Sequence, residues 1–264
     1  MNTVGRPAQS PPEVVVHRAD ARFTTRTGWL DCRQSFSFGH HYDPQNTRHG
    51  LLLVNNDNLV QAGAGFELHR HQDMEILTWV LQGSLAHRDS ADHSGILHPG
   101  LVQRMSAGSG ILHSESNHAR GLQPGAEDHQ PVHFIQMWVA PDRDGVEPGY
   151  EQRDVAHALR SGRLVPVASG RPEHAGTDSL ALGNRNAALH AARLQPGQGV
   201  ELPDAPFLHL FVAYGGVSLE GAGPLSTGDA VRFTGTGGQR LTAGQPSEVL
   251  VWEMHAPRAA QDQR

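Results

Sequence analysis

The sequence contains a single cysteine, Cys32, in a chain of 264 residues. One cysteine cannot form an intramolecular disulfide, which excludes a disulfide-stabilised scaffold and fits a reducing compartment. A chain of this length needs no such scaffold, because it can bury one large core or two of ordinary size. Cys32 lies in the segment WLDCRQSFSF, which is rich in apolar residues. We interpret this segment as a strand and the cysteine as structural rather than nucleophilic.

Long hydrophobic runs are also missing. The sequence has no stretch of about 18 uncharged apolar residues, which excludes a membrane-spanning helix. The first twenty residues lack the apolar core and small-residue cleavage site of a secretory signal. We therefore expect a soluble, cytoplasmic protein that has no membrane partner.

The chain has no concentrated positive charge. Its formal net charge is −6, from 27 acidic and 21 basic residues, and the basic residues are scattered arginines. Nucleic-acid-binding surfaces are usually basic stripes or patches. We therefore expect no direct nucleic-acid partner.

Sequence patterns typical of helices are rare. The chain contains 30 glycines and 17 prolines, with β-branched and aromatic runs between them, which favours short strands joined by turns. We predict one short helix, within residues 150–162 (YEQRDVAHALRSG). Residues 50–60 (GLLLVNNDNLV) are predicted to form two strand pieces around an Asn/Asp turn, and residues 75–90 two strands with a turn at Gln82 and Gly83. The fold class is therefore predicted to be all-β, a sandwich or barrel.

The same order of strand and turn segments occurs twice. LTWVLQGSLAHRDS and a later LHPGLVQRM in the first half correspond to HLFVAYGGVSLEG and LSTGDAVRF in the second. Residues 140–150, APDRDGVEPGY, have the composition of a linker between them. We predict two β-domains of one type, residues 13–142 and residues 143–257.

Two pairs of polar residues have the spacing of metal ligands on strands. His69 and His71 are two residues apart, and alternation along a strand directs them to one face. His113 and Glu115 repeat this spacing between glycine turns. Glu75 shares the parity of the first pair if that strand continues without a bulge, so either glutamate could accompany the imidazoles. Imidazole and carboxylate are ligands of divalent Fe, Mn, Co, Ni, Cu and Zn.

These segments resemble the two cupin motifs. HRHQDMEILTWVLQG matches the first motif, H-x-H-x3-E with a closing glycine, and PGLVQRMSAGSGILHSESN matches the second, P-G followed by H-x3-N. With GWLDCRQSFSFGHHYDP and HFIQMWVAPDRDGVEPGYEQR, the chain more narrowly resembles the pirin family, of the bacterial quercetin 2,3-dioxygenase type. This resemblance is dense over the first 153 residues and faint beyond them.

The resemblance implies a bicupin, two cupin domains packed face to face, with metal in the N-terminal domain alone. The implied ligands are His69, His71, His113 and Glu115, while Glu75 is expected beside the site. We expect one divalent transition metal ion, Fe(II) first, with Mn, Co, Ni, Cu or Zn as alternatives. Zinc would fill the same ligands as a closed, structural site.

Most of the 18 histidines need other roles. The second half of the chain contains no H-x-H, so we expect a degenerate cupin domain without metal there. His190, His209 and His255 are interpreted as surface or hydrogen-bonded core residues. His87 and His133 lie near the metal strands in sequence, and we assign them to solvated or hydrogen-bonded positions.

A few residues are candidates for the pocket beside the metal. Phe66, Trp79 and Met105 are apolar candidates for its wall, although each also fits an ordinary core position. His40 and His41 lie in a glycine-containing loop and are candidates for its mouth.

The expected function follows from the resemblance. It implies a dioxygenase that takes a small flavonol-like aromatic substrate and O2, with ring opening and loss of carbon monoxide, and Glu115 as the catalytic base. A metal-loaded regulatory module that binds a partner protein is the alternative from another class. A cupin isomerase or hydrolase that uses the same ligands is a third.

Overall fold

The computed structural model describes residues 12–118 and 130–257, which form 22 strands in four sheets. Helical structure in these residues comprises a four-residue α-helix, α1 (Ala156–Leu159), and two single 3-10 turns, Ala19–Ala21 and Pro172–His174. None of these helical segments is long and apolar enough to cross a membrane. The all-β prediction is confirmed.

The first half of the chain forms most of a sandwich of two antiparallel sheets. Its seven-stranded sheet contains, in spatial order, β12 (Gly149–Asp154), β9 (Leu101–Ser106), β6 (Glu75–Gln82), β11 (Val132–Val139), β4 (Leu52–Val60), β3 (Leu30–Gln34) and β2 (Phe23–Arg26). Its four-stranded sheet contains β5 (Gly65–His71), β10 (Ile111–Asn117), β7 (Leu85–Asp89) and β8 (Ser94–Leu97). A buried core joins the two sheets, with Val80 and Phe134 from the larger and Leu85 and Leu97 from the smaller.

The second half repeats this architecture. Its seven-stranded sheet contains β1 (Glu13–His17), β20 (Ala230–Thr234), β17 (Phe207–Tyr214), β22 (Ser247–Met254), β15 (Ala187–Leu194), β13 (Val165–Ser169) and β14 (Leu180–Ala181). Its four-stranded sheet contains β16 (Gly199–Glu201), β21 (Arg240–Ala243), β18 (Gly216–Leu219) and β19 (Gly223–Ser226). Leu208, Leu210, Val217 and Leu241 belong to the core between them.

The two seven-stranded sheets pack against each other. Leu77, Trp79 and Met137 of the N-terminal sheet share one buried cluster with Leu250 and Trp252 of the C-terminal sheet. Both sheets are therefore covered on both faces, which explains why their central strands β6 and β22 are buried almost throughout. The arrangement is two cupin sandwiches face to face, which confirms the bicupin prediction.

Strand pairing crosses the predicted boundary between the halves. β1 pairs with β20 in the C-terminal sheet, and β12 pairs with β9 in the N-terminal sheet. Each sandwich thus takes an edge strand from outside its own predicted range. The division into residues 13–142 and 143–257 stays a prediction.

One local prediction was wrong. The Asn-rich segment at residues 52–60 is one strand, β4, because neighbours on both sides, β3 and β11, satisfy its backbone, and Asn55 donates a hydrogen bond to Ser35 Oγ at 3.2 Å. The short helix predicted within residues 150–162 is confirmed as α1, although residues 149–154 before it form strand β12, because β9 pairs with them. In both places, strand partners that are distant in sequence decide the local structure.

Candidate metal centre

Two adjacent strands of the small N-terminal sheet bring three histidines together. In the antiparallel pairing of β5 with β10, His69 lies opposite His113, and His71 lies opposite Ile111. The Nε2 atoms of His69 and His113 are 3.0 Å apart. One ring nitrogen from each of the three imidazoles falls in a group whose atoms lie within 4.8 Å of one another. Alternation along the strands, as predicted, directs all three to one place.

Two of the three rings are uncharged at neutral pH. Burial, together with the neighbouring His69 and His71, lowers the pKa of His113 to about 2. Burial and His69 lower the pKa of His71 to about 4. Neutral imidazoles keep a lone pair for a metal ion, whereas imidazolium rings do not.

Individual ring nitrogens of His69 and His71 are available to bind a metal ion. The Nδ1 of His69 lies 2.7 Å from the Glu67 carbonyl, which can only accept, so Nδ1 carries the proton and Nε2 the lone pair. The Nε2 of His71 is buried and has no hydrogen-bond partner among the described residues. An unpaired buried nitrogen costs free energy unless something binds it. The donor set is therefore suited to a divalent transition metal.

Glu115 lies on β10, beside an irregularity in the pairing of this strand with β5. The register with β5 shifts between His113 and Glu115, so Glu115 lies opposite Phe66. Burial raises the pKa of Glu115 to about 7, while hydrogen bonds from Gln136 and Thr78 partly oppose that rise. Gln136 Nε2 donates to Oε2 at 2.7 Å, and the Thr78 hydroxyl lies 3.5 Å from Oε1. The carboxyl group is therefore fixed in place and easily protonated.

His87 is a residue of this centre that sequence reasoning missed. It lies opposite Glu115 on β7, is 1 % exposed, and forms a second group of potential ligands with His113 and Glu115. Its Nδ1 is 3.5 Å from that of His113, and its ring stacks on Tyr150 at 4.8 Å. Glu115 thus joins His113 and His87 rather than the group that contains His69 and His71. No motif includes His87, and only the pairing of β7 with β10 places it here.

Glu75 lies away from these histidines. A turn separates β5 from β6, with Asp73 at a φ of 50°, so Glu75 begins a strand of the other sheet. Its Oε2 accepts a hydrogen bond from the Gly183 backbone at 3.0 Å, in the second half of the chain. Glu75 would share a face with His69 and His71 only if their strand continued without interruption, and this condition is not met.

A cavity of about 490 Å³ opens beside the imidazoles. His69, His71, Glu115 and Gln136 line it together with further side chains that are mainly aromatic or amide, namely Trp29, Phe38, Phe66, Trp138, Asn56 and Asn58. A cavity of this volume accommodates a small organic molecule. Its walls are suited to a flat aromatic ligand with a few polar groups.

Some of the other residues predicted to line the pocket do line the cavity, and others belong to the core. Phe66 and His40 line the cavity, whereas His41 stacks on Phe23 at 5.3 Å. Trp79 and Met105 are fully buried core residues. Cys32 lines the cavity, and burial raises the pKa of its thiol to about 12, which supports a structural role.

Besides His87, four histidines are predicted to occupy surface, solvated or hydrogen-bonded positions. His133 is hydrogen-bonded as predicted, because its Nε2 lies 2.6 Å from Asp57 Oδ1. His190 and His255 lie 2.8 and 2.7 Å from the two oxygens of Glu253. His209 was predicted wrongly, because it is fully buried between the two large sheets and neither ring nitrogen has a partner among the described residues.

The fold and this cluster define the class of protein: a bicupin whose N-terminal sandwich carries a histidine-rich centre able to hold a metal ion. Two family models match the chain, Pirin over residues 16–139 and the quercetinase C-terminal cupin domain over residues 167–254. The chain belongs to the pirin family.

Relatives and solved structures agree with this assignment. A Mycobacterium tuberculosis protein named "Putative quercetin 2,3-dioxygenase" is 56% identical over 244 residues, covering 92% of this chain and 96% of that protein. The quercetin 2,3-dioxygenase of Escherichia coli K12 is 33% identical over 242 residues, 91% of this chain and 98% of that protein. The E. coli pirin YhhW in complex with nickel(II) matches with a TM-score of 0.80 and 30% identity, over 93% of this chain and all of that one.

Proposed function

We propose that this protein is a metal-dependent dioxygenase that opens a flavonol-like, quercetin-type ring with O2. The observation that carries the proposal is the cluster of three imidazoles at the wall of a largely aromatic cavity of about 490 Å³. The names of its relatives point to the same substrate class.

The proposed ligands are His69, His71, His113 and Glu115, and Fe(II) is the proposed resident ion. The nickel(II) complex of the E. coli pirin supports binding of a divalent ion at such a centre. Affinity alone ranks nickel and copper above iron at nitrogen and oxygen sites, so availability of the metal would decide its identity. When bound, such an ion supplies Lewis-acid polarisation of a substrate oxygen.

The protein itself contributes a base and a binding surface. Glu115 is proposed to take the hydroxyl proton of the substrate, and Gln136 holds the carboxylate that receives it. Trp29, Phe38 and Trp138 line the cavity and would orient an aromatic ring by stacking and exclude water.

The proposal is tested with metal-stripped protein that is reconstituted separately with Fe(II), Mn(II), Co(II), Ni(II), Cu(II) and Zn(II). The readout is loss of the quercetin absorbance band with and without O2, together with the metal content of each sample. We expect O2-dependent loss with at least one ion. We also expect both metal content and turnover to disappear in His113→Ala.

His157→Ala is the matched control, because His157 is an exposed residue of α1. It should retain both metal and turnover. Absence of turnover with every ion in the wild-type protein would reject the dioxygenase and favour the regulatory alternative. A pull-down of protein partners would then be the next experiment.

A further inference from the structure

A second cavity, of about 60 Å³, lies between the two seven-stranded sheets, and we refer to it as the inter-sheet cavity. It is lined by His17, Arg18, Ala21, Arg22, Phe23, Gln34, Ser35, Asn46, Ala230 and Arg232. None of the proposed metal ligands belongs to this lining, and Gln34 is shared with the larger cavity. Arg18 is exposed, so the inter-sheet cavity reaches the protein surface there.

Four side chains of this lining carry a buried polar atom without a hydrogen-bond partner among the described residues. These atoms are Arg22 Nε, Arg232 Nε, Gln34 Oε1 and Asn46 Oδ1. Buried polar groups in folded proteins are nearly always paired with protein, water or a ligand. The two guanidinium atoms can only donate and the two amide oxygens can only accept, so an occupant that offers acceptor oxygens and a hydroxyl hydrogen, such as hydrogenphosphate or an ion with a water molecule, would pair all four.

The charge of the inter-sheet cavity is not balanced by its own carboxylates. Arg18 pairs with Asp229 at 2.8 Å, and Arg22 pairs with Asp57 at 3.2 Å. Arg232, by contrast, has no carboxylate within ion-pair distance among the described residues. Its NH2 donates to the Ser35 carbonyl at 2.7 Å, and its guanidinium lies over the Phe36 ring at 4.2 Å.

This positive charge lowers the pKa of neighbouring histidines. Burial, together with the charge of Arg232, lowers the pKa of both His17 and His49 to about 4. His209, directly opposite Arg232 in the pairing of β17 with β20, is affected in the same direction. An unpaired cation in a half-buried site costs free energy that a bound anion would offset.

We propose that the inter-sheet cavity binds a small oxyanion, of the size of inorganic phosphate or sulfate, with Arg232 as its main charge partner. The space holds several water molecules, which matches an ion of that size. A guanidinium offers several donors in a plane and suits the oxygens of such an ion.

The oxyanion would join the two halves of the molecule. Arg232 lies on β20 of the C-terminal sheet, whereas Arg22, the other guanidinium with an unpaired Nε, directly precedes β2 of the N-terminal sheet. An anion held by both sides binds the folded protein alone, so it raises the unfolding temperature in a saturable way.

The experiment measures thermal unfolding and calorimetric binding of the full chain with phosphate, sulfate or acetate. A bulky organic sulfonate, too large for the cavity, keeps the ionic strength constant. We expect at least one of the three anions to bind saturably, with one site per chain. Comparison of the tetrahedral ions with planar acetate identifies the preferred shape.

Arg232→Met should remove the saturable binding, leaving the weak linear effect that salts have on any protein. Arg240→Met, which removes an exposed arginine of β21, is the matched control and should bind like the wild type. No saturable binding by the wild type, or equal binding by Arg232→Met, would overturn the proposal.

Arg232→Lys covers the case in which the methionine variant fails to fold. It keeps the charge but loses the planar set of donors, so we expect affinity to fall by about tenfold. Unchanged affinity of this variant would also contradict the role of Arg232.

Discussion

His113 is the residue at which the two histidine groups of the N-terminal sandwich meet. One ring nitrogen of His113 lies near His69 of β5, and the other lies near His87 of β7. Replacing His113 therefore removes a member of both groups of potential ligands, which is why it is the most informative single substitution there.

Gln136 is expected to act through Glu115. Its amide donates to Glu115 Oε2 and accepts a hydrogen bond from Trp138 Nε1 at 3.1 Å. Because that donated bond lowers the pKa of Glu115, Gln136→Leu should raise this pKa above about 7 and move the turnover profile of reconstituted protein to higher pH. Metal affinity should fall by about tenfold, as for other residues that orient a ligand.

The pH profile of turnover and a metal titration check this prediction. Gln195→Leu, at an exposed position of the second half, is the control and should change neither quantity. Rescue of the profile by Gln136→Asn would support positioning, and an unchanged profile in Gln136→Leu would contradict it.

The stability of the folded protein should depend on pH through the carboxyl group of Glu253. Burial would raise its pKa, but hydrogen bonds from His190 and His255 lower the pKa to about 2. A carboxyl group with a lowered pKa stabilises the fold above its ordinary pKa of 4.5, and this contribution is lost as pH falls from there towards 2. Glu253→Gln should therefore unfold at a lower temperature than the wild type at pH 7, with a smaller difference near pH 2.5.

Thermal unfolding at the two pH values provides the measurement. Glu201→Gln, an exposed residue of β16, should follow the wild type at both. A difference between Glu253→Gln and the wild type that is equal at both pH values would show that the carboxylate charge is not responsible.

Sequence reasoning at the scale of single residues succeeded where spacing alone decides direction. His69 and His71 share a face because they are two apart on one uninterrupted strand. Glu75 and Glu115 had equal parity arguments, yet a turn after β5 places Glu75 in the other sheet, whereas Glu115 stays on the same strand face as His113. Turns and bulges depend on neighbouring strands, so the sequence alone could not rank the two glutamates.

The pairing of β5 with β10 depends on a close approach at Gly65. A Cβ atom added there would lie 2.3 Å from the Glu115 carbonyl oxygen and 2.5 Å from Ser116 Cα. Gly65→Ala must therefore push the strands apart and displace His69 from His113. We expect a fall in metal affinity of about tenfold or more and a lower unfolding temperature.

Gly28→Ala is the matched control, because a Cβ atom there meets no atom within 4 Å. Metal titration and thermal unfolding of both variants test the predicted losses of metal affinity and stability. Wild-type affinity in Gly65→Ala would mean that the strand spacing at this point does not govern the centre.

Strand prediction succeeded where apolar residues alternate between clear turn signals, as for β6 and β7 on either side of Gly83. It failed at β4, where asparagines usually found in turns lie within a seven-stranded sheet. Local propensity at such positions is overridden by cross-strand partners, and those partners lie far along the chain.

The whole molecule should unfold as one unit, because the largest core is shared between the halves. Trp252 is 1 % exposed, and its Nε1 donates to the sulfur of Met137 in the opposite sheet. Trp252→Ala should destabilise the protein by about 3–5 kcal/mol. The three remaining tryptophans, Trp29, Trp79 and Trp138, all belong to the N-terminal sandwich, so fluorescence of this variant reports on the other half.

Denaturant unfolding followed by tryptophan fluorescence and by circular dichroism checks this prediction. Both midpoints should move together to lower denaturant concentration, with Trp252→Phe showing a smaller effect. An unchanged fluorescence midpoint in Trp252→Ala would mean that the two halves unfold independently.

The position of β1 has a consequence for synthesis on the ribosome. This strand is made long before its pairing partner, β20, with Glu13 opposite Thr234. Until β20 has emerged, the edge of the growing chain is an unpaired, valine-rich strand of the kind that promotes association between nascent chains. The time between translation of the two strands, rather than the stability of the finished protein, would then set how often this chain needs a chaperone.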